Sequence, residues 1–259
     1  MLLIDTHCHL YLHEFDVDQE EMLQRAYEAG VTKFFLPNID SSSINSMLVL
    51  SNDHLQQCYP MMGLHPCSVK ENWDSEIRII EEWLLKKEMK WYGIGETGLD
   101  YYWDKTFIPQ QKKNFQKHID WSKQLQLPII IHSRDALDDC IDMIQESKDE
   151  KLSGIFHCFS GSVEQAKRIA DLDFYLGIGG VVTFKNGGLD KVLTEIDLSH
   201  MVLETDSPYL APVPFRGKRN ESSYLKYVVK KISEVKNISE EDAASITTRN
   251  AEKVFQISA

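Results

Sequence analysis

The sequence predicts a closed (β/α)8 TIM barrel, formed as a single domain by residues 1–259. Three observations predict this fold. The chain has 259 residues, close to the ~250 that are typical of such barrels. Short apolar runs rich in β-forming residues alternate with amphipathic stretches, as expected for parallel βα units. Side chains that can bind metals stand at the ends of several of these runs.

Eight apolar runs are the candidate strands. In chain order they cover residues 2–4, 33–36, 59–62, 91–94, 129–131, 154–156, 174–178 and 201–203. Residues at helical spacing fill most of the gaps, as Ile77, Ile80 and Leu84 do. Two helices are predicted near the end of the chain, over about 221–235 and 240–254, with Ser239 as the N-cap of the second.

An open doubly wound sheet would also alternate strands and helices, and polar residues decide between the two folds. They follow candidate strands one, four, five, six and eight, and are His7, His9, Glu96, His132, His157 and Asp206. In an open sheet of sequential order, strands one and eight would lie roughly 34 Å apart. A closed barrel makes these strands neighbours and gathers the strand ends at one mouth. The sequence therefore favours the barrel.

Composition and charge indicate an ordinary globular protein with a sizeable core. Hydrophobic residues make up 42% of the chain and charged residues 26%. The net charge is −12, from 40 acidic and 28 basic side chains. This balance argues against a protein that coats nucleic acid through bulk charge. It is compatible with a nuclease in which metals and a local basic segment supply the positive field.

Cysteine usage predicts a cytoplasmic location. The five cysteines form no CxxC pair, which is typical of reduced thiols. The apolar segment before the first candidate ligands is too short for a signal peptide, and no run approaches the ~20 residues of a membrane span. Cys8 and Cys158 adjoin candidate ligands, but strand alternation should turn their thiols away from the mouth.

The candidate ligands near strands one and four have chemically specific surroundings. His7 and His9 are two positions apart, so in an extended strand both imidazoles face the same way and can share a metal. Glu96 lies between Gly95 and Gly98, which allow close backbone approach, and its two oxygens could each bind one cation. Taken singly, the histidines could be incidental polar residues, and Glu96 could pair with a lysine or cap a loop.

The later ligands repeat this pattern. His132 and His157 each follow an apolar run, although a lone histidine there is more often a satisfied core residue. Asp206 could bind a metal and accept a proton from a bridging water, or it could cap the loop before Ser207. Glu204 either points the same way or supports the site from behind. The six residues together make the incidental interpretation the weaker one.

The motifs that contain these residues resemble the TatD family of metal-dependent deoxyribonucleases, which belongs to the amidohydrolase-like barrels. The motifs are HCH (7–9), GLHP (63–66), GETGLDYY (95–102), HSR (132–134), HCFSG (157–161), ETDSPYLAP (204–212) and PFRGKRNE (214–221). They span most of the chain, and together they are far more specific than any one alone. The resemblance implies a divalent-metal-dependent hydrolase with 3′→5′ exonuclease activity on DNA.

The resemblance also implies a two-metal site. It makes His7, His9 and Asp206 ligands of one ion and His132 and His157 ligands of the second, with Glu96 as the bridge. Asp206 would in addition orient or deprotonate the attacking water, so Glu96 and Asp206 are the predicted catalytic residues. Four imidazoles suit Zn²⁺, Mn²⁺ or Fe²⁺ better than Mg²⁺. Mg²⁺ is nonetheless often named for the family, so the sequence leaves the ion open.

Positions outside the ligand set carry further expectations. His65 matches a family position that contacts substrate, and Tyr11 stands where the family more often has Asp. The basic residues available to hold phosphates are Arg134, Lys185, Arg216, Lys218 and Arg219. For each of them, a solvated surface position is the alternative.

The expected partner is nucleic acid, as single-stranded DNA or frayed DNA ends, with no membrane and no obligate protein partner. Two other functions stay open from the sequence. The same site could cleave an amide, lactone or aminoacyl ester, because barrels host many reactions. Alternatively, the barrel could be a non-catalytic metal-binding or interaction protein.

Overall fold

The computed structural model describes residues 1–257 and consists of a parallel barrel surrounded by helices. The strands are β1 (Leu3–Asp5), β2 (Val31–Pro37), β3 (Cys58–Met61), β4 (Ile94–Asp100), β5 (Ile129–Arg134), β6 (Gly154–Phe156), β7 (Tyr175–Ile178) and β8 (Met201–Leu203). They form two parallel ladders, β1–β2–β3 and β4 to β8 in order. Residues 258–259 of the predicted domain lie outside the described part of the chain.

Backbone contacts close the barrel at both seams between the ladders. At the β3–β4 seam, Met62 forms a parallel bridge with Ile94. At the β8–β1 seam, Cys8 bridges Ser207, and the Thr6 amide donates to the Leu203 carbonyl at 2.9 Å. Strands one and eight are therefore neighbours, and the prediction of a closed barrel is confirmed.

Nine α-helices connect and cover the strands within the described chain. They are α1 (Gln19–Glu28), α2 (Ile44–Asp53), α3 (Trp73–Leu84), α4 (Ile108–Leu125), α5 (Leu137–Ser147), α6 (Val163–Asp171), α7 (Leu189–Glu195), α8 (Leu225–Lys236) and α9 (Glu240–Phe255). Ser239 caps α9 as predicted, since its hydroxyl accepts from the Asp242 amide at 3.0 Å. Helix α8 begins later than predicted because Glu221 is extended and its carboxylate binds Arg25.

Strand β4 is displaced from its predicted position. The apolar run 91–94 was expected to be the strand, but β4 runs from Ile94 to Asp100 and contains Glu96. The glycines allow the close backbone approach that the sequence predicted, since a Cβ on Gly98 would collide with the His132 carbonyl on β5. Glu96 and His132 thus stand inside paired strands rather than beyond them, and the sheet holds their backbones.

The two ends of the barrel differ in chemistry. Apolar side chains from every strand except β4 fill the interior and pack on Ala251, Val254 and Phe255 of α9. The Phe255 ring stacks on Phe35 of β2 with centroids 3.6 Å apart. Helix α9 therefore closes the end where the strands begin. The predicted ligands gather at the opposite end.

Candidate metal centre

The Glu96 carboxylate lies at the centre of the predicted ligands. Its Oε2 atom is 3.1 Å from His7 Nε2 and 3.5 Å from His9 Nε2. Its Oε1 atom is 3.0 Å from His132 Nδ1 and 3.2 Å from His157 Nε2. Each oxygen therefore faces its own pair of the predicted ligand histidines, as expected of a carboxylate that bridges two cations.

Asp206 completes the cluster from the β8–β1 seam. Its Oδ1 atom is 3.7 Å from His7 Nε2 and 3.6 Å from His9 Nε2. The Asp206 amide donates to the His7 carbonyl at 2.9 Å, which directs the start of this loop over β1. His7 also stacks on His157 at 3.6 Å between centroids, so the two halves of the cluster are continuous. All six predicted ligands are brought together.

The donor set fits divalent cations. Ligand atoms of His7, His9 and Glu96 lie within 4.8 Å of one another, as do those of His7, His157 and Asp206. Imidazole nitrogens with carboxylate oxygens are a common set for transition-metal ions and zinc. Burial would raise the pKa of Glu96, but the imidazoles around it, led by His157, hold that pKa well below its usual range. The centre thus combines an ionised carboxylate with nitrogen donors.

Tyr11 determines which nitrogen His9 presents to the site. The Tyr11 hydroxyl donates to the Pro37 carbonyl at 2.5 Å and lies 3.0 Å from His9 Nδ1. Since the hydroxyl has a single proton, it accepts from an Nδ1–H of His9. The Nε2 lone pair of His9 then faces Glu96. Although Tyr11 stands where the family more often has Asp, it gives His9 Nδ1 a hydrogen-bond acceptor.

Two buried carboxylates orient the other pair of histidines. His132 Nε2 is 3.0 Å from Asp100 Oδ2, and His157 Nδ1 is 3.1 Å from Glu204 Oε1. Such partners fix the ring and direct the opposite nitrogen toward the metal. Burial would lower the pKa of His157, but Glu204 and Glu96 outweigh it and raise the pKa well above its ordinary value. Glu204 therefore supports the site from behind.

Sequence analysis missed Asp100, although a signal for it was present. On β4, Glu96, Gly98 and Asp100 alternate with the outward positions, so they share one face of the strand. Because the strand was placed too early, this parity did not enter the prediction.

His65 lies closer to the centre than a peripheral substrate contact would. Its Nε2 is 3.4 Å from Glu96 Oε1 and 3.3 Å from His132 Nδ1. Its Nδ1 accepts from the Cys67 amide at 3.0 Å. A neutral His65 therefore carries its proton on Nε2, which makes that nitrogen a donor into the site. This tautomer suits an oxygen of a substrate better than a metal ion.

Helix α4 supports the site through polar residues on its buried face. His118 Nε2 accepts from the Leu64 amide at 3.0 Å, and Asn114 Nδ2 donates to the Leu64 carbonyl at 3.0 Å. Gln111 exchanges two hydrogen bonds with the backbone of Asp100. These residues were not predicted as functional, but their i, i+3, i+7 spacing on one helix face was a usable signal.

The predicted basic residues occupy different environments. Arg216 and Lys218 are exposed, and the Arg216 guanidinium lies 4.0 Å from the Phe184 ring centroid. Arg219 instead pairs with Asp18 at 2.6 Å and donates to the Glu14 carbonyl at 2.7 Å. Because Asp18 offsets its charge, the structure favours an anchoring role for Arg219.

Two further predictions concern the orientation of the Cys8 thiol and the absence of a membrane-spanning segment. Cys8 is buried and its Sγ lies 3.6 Å from the Phe35 carbonyl oxygen, turned into the wall as predicted. Within residues 1–257, no helix has both the length and the apolar character that a membrane crossing requires.

A closed parallel barrel with histidine and carboxylate ligands at the carboxyl ends of its strands is the architecture of metal-dependent hydrolases. The family model described as TatD related DNase matches residues 4–256. The chain belongs to the TatD family, and the predicted resemblance is confirmed.

Individual relatives agree with this assignment. The metal-dependent hydrolase YabD of Bacillus subtilis (strain 168) is 41% identical over 257 residues, covering 99% of this chain and 100% of that protein. YcfH of Escherichia coli (strain K12), also described as a metal-dependent hydrolase, is 33% identical, covering 100% and 97%. The crystal structure of YjjV, a TatD homologue from E. coli K12, superposes with a TM-score of 0.92 at 28% identity, covering 99% and 98%. The protein is therefore a metal-dependent hydrolase.

Proposed function

We propose that this hydrolase cleaves phosphodiester bonds of DNA as a 3′→5′ exodeoxyribonuclease that uses two divalent metal ions. The observation that carries the proposal is the position of Glu96, whose two oxygens each face a separate pair of the predicted ligand histidines at 3.0–3.5 Å. The description of the matching family as a DNase supports DNA as the substrate class.

The side chains divide into two sets of ligands under this proposal. His7, His9 and Asp206 would hold one ion, His132 and His157 the other, and Glu96 both. When bound, two such ions lower the pKa of a water and neutralise charge on the phosphoryl oxygens. Mg²⁺, Mn²⁺ and Zn²⁺ are the candidates, and the four imidazoles favour the latter two.

The chain's own groups complete the chemistry. The Asp206 side chain is 16% exposed, more than the 3% of Glu96, so it can meet the attacking water and accept its proton. His65 Nε2–H can donate to a phosphate oxygen beside Glu96. Exposed Arg216 and Lys218 can hold phosphates farther along the strand.

The depth of the site favours a single strand or a frayed end as substrate. His7, His9, Glu96 and His157 are all at most 5% exposed. A phosphate must therefore enter the mouth to reach them, and an unpaired terminus can do so where a continuous duplex cannot. We also propose that residues 1–259 act as one domain in the cytoplasm.

An end-labelled oligonucleotide tests the proposal. With Mn²⁺, a 5′-labelled single strand should shorten as a ladder, whereas a 3′-labelled strand should release a labelled mononucleotide first. Glu96→Gln should lower kcat by ~10²–10³, because one neutral amide replaces the shared carboxylate. Metal analysis should find two ions per wild-type chain and fewer in the variant.

The rival functions give different results in the same experiment. Cleavage of a cyclic amide or an aminoacyl-tRNA, without cleavage of DNA, would replace the proposal with amidohydrolase chemistry. Metal binding without turnover of any of these substrates would leave a non-catalytic metal protein.

A further inference from the structure

Two exposed aromatic side chains stand beside the metal centre and have no role in the proposal so far. Tyr102 is 53% exposed and Trp103 is 68% exposed, and their rings meet edge to face at 5.0 Å. Asp100 fixes both, since its Oδ1 accepts from the Tyr102 amide at 2.9 Å and the Trp103 amide at 3.0 Å. The other oxygen of that carboxylate binds His132 at 3.0 Å. A single side chain thus links the aromatic pair to the centre.

A guanidinium lies against the pair. Arg134 Cζ is 3.9 Å from the Tyr102 ring centroid and 5.1 Å from that of Trp103. Asp100 and Arg134 are direct partners in the β4–β5 ladder, so the guanidinium belongs to the same rim. Arg134 is exposed, and within residues 1–257 it has no ion-pair partner. Its charge is therefore available to an anion from outside.

The segment that carries the rings is held at several points. Tyr101 donates from its hydroxyl to Asp139 at 2.8 Å and from its amide to the Arg134 carbonyl at 2.9 Å. Beyond the rings, Asp104 pairs with Lys70 at 2.9 Å. A surface that is ordered before binding loses less conformational entropy when a ligand arrives.

We propose that Tyr102, Trp103 and Arg134 form an aromatic platform on which an unpaired base stacks while a phosphate of the same strand occupies the metal centre. This inference rests on the proposed function and names the form of its substrate. Every base has a π-face, so such stacking tolerates any sequence, and the guanidinium can neutralise a phosphate beside the base. The platform explains how a chain of net charge −12 holds a polyanion without a broad basic surface.

The charge of the platform favours nucleic acid over a second copy of this chain. Association of two copies would bring the two Arg134 guanidinium groups toward each other and join molecules that each carry −12. A nucleic-acid strand offers a partner for each part of the platform, a base for the aromatic rings and a phosphate for Arg134.

Trp103 variants test the platform with two substrates of equal length and charge. One is an oligothymidylate, and the other is the same strand with abasic residues, each cleaved with Mn²⁺. The ratio of kcat/KM for the base-bearing strand to that for the abasic strand should fall roughly 5- to 150-fold in Trp103→Leu, the equivalent of the ~1–3 kcal/mol that stacking contributes per base. Trp103→Phe should keep most of this ratio because it keeps a ring.

Trp83→Leu is the matched control. Trp83 lies in the last turn of α3, and Lys86 lies 3.2 Å from its ring centroid, so it too pairs a tryptophan with a cation. The last turn of α3 leads toward the start of β4, at the end of the barrel away from the mouth. The substrate ratio should not change in this variant.

The possible outcomes separate the platform from the proposed function. An unchanged ratio in Trp103→Leu, with both strands cleaved, would overturn the platform and leave the nuclease function intact. If the wild-type protein cleaves neither strand, the nuclease proposal fails, and the fluorescence difference between wild type and Trp103→Phe tests the platform alone. This difference is the fluorescence of Trp103. If oligothymidylate quenches the Trp103 fluorescence and the abasic strand does not, the platform is supported. Equal quenching by the two strands would overturn it. Loss of self-association in Trp103→Leu, with no change in ratio, would assign the rings to a contact between copies.

Discussion

At the scale of single residues, the metal centre depends on which ring nitrogen each histidine presents. Tyr11, Asp100 and Glu204 each bind the far nitrogen of one ligand histidine at 3.0–3.1 Å. The far nitrogen of His7, by contrast, has no hydrogen-bond partner within residues 1–257. Ring orientation at His7 comes instead from burial and from its stacking on His157.

Tyr11→Phe should weaken metal binding without changing the fold. Removal of the hydroxyl leaves His9 free to place its proton on either nitrogen, and orienting partners of this kind contribute ~10–100-fold in metal affinity. Competition with a chelator would measure the change. Tyr27→Phe is the control, since Tyr27 lies on helix α1 and its hydroxyl donates to Gln57 at 2.6 Å, outside the candidate metal centre. Equal metal affinity in wild type and Tyr11→Phe would show that His9 needs no such partner.

His118 should make the free energy of unfolding depend on pH. Burial lowers its pKa to about 4 from the model-peptide value of 6.5. His118 therefore binds a proton more readily in the unfolded chain than in the folded one. The stability that the neutral, buried His118 contributes above pH 6.5 is lost as the pH falls toward 4. The loss should reach about 3 kcal/mol. Urea denaturation at several pH values would measure the free energy of unfolding, which should fall less with decreasing pH in His118→Gln than in the wild type. The same pH dependence in both proteins would show that His118 is not the group responsible.

At the scale of elements, the basic residues of the loop after β8 fall into two groups, one that anchors the loop to α1 and one that is exposed and available to bind phosphates. Arg219 is joined to Asp18, and Arg25 bridges Asp18 and Glu221 at 2.9 and 2.7 Å. These pairs tie the loop to α1. Arg216 and Lys218 are exposed on the same loop and do not belong to the network.

Arg216→Ala with Lys218→Ala should reduce the salt dependence of oligonucleotide affinity. Each lost phosphate contact lowers the slope of log affinity against log salt by ~0.7 for a single strand. Fluorescence anisotropy over a range of salt concentrations would measure it, with Lys226→Ala on α8 as a control for charge. Arg219→Ala should instead lower the melting temperature, because Asp18 loses a partner. An unchanged slope in the double variant would show that Arg216 and Lys218 are solvated surface residues that do not contact phosphates.

Helix α4 contributes to the site at the same scale. Gln111, Asn114 and His118 occupy its buried face, and each binds backbone near the mouth. Through these bonds the helix fixes the segments that carry His65 and Asp100.

At the scale of the whole molecule, the barrel concentrates unlike environments at its two ends. The end closed by α9 is apolar, whereas the mouth collects histidines and carboxylates, most of which are buried, among them His7, His9, Glu96, His157 and Glu204. Such a cluster is expensive to desolvate, and cations bound between the side chains would stabilise the folded state.

Metal removal should therefore lower the melting temperature. A ligand that binds only the folded state at 100 times its Kd adds about 2.7 kcal/mol of stability per site. Scanning calorimetry of the chelated protein, before and after addition of Mn²⁺, would measure the shift. Glu96→Ala should show a much smaller response to Mn²⁺ than wild type, and an equal response would place the stabilising ion elsewhere.

The sequence by itself determined the barrel, its family and the six residues that the structure brings together in the candidate metal centre. The barrel and the positions of these residues depend on local properties: β-forming runs, helical spacing and side chains at recurring positions after the runs. The family was identified separately, from the resemblance of motifs such as GETGLDYY (95–102). Charged and aromatic residues with no counterpart in that periodicity were harder to assign. Arg219 and Arg216 look alike in the sequence, although one is paired with Asp18 and the other is exposed.

The tertiary structure alone decided how distant residues act on one another. The extent of β4 followed from close packing against β5 at Gly98, and that placement gave Asp100 its contact with His132. The support of His65 by α4 and the contact of Arg134 with Tyr102 likewise join segments that are separate in the chain. Pairing of β4 with β5 and packing of α4 beside β4 bring these segments into contact, and a one-dimensional pattern records no such distances.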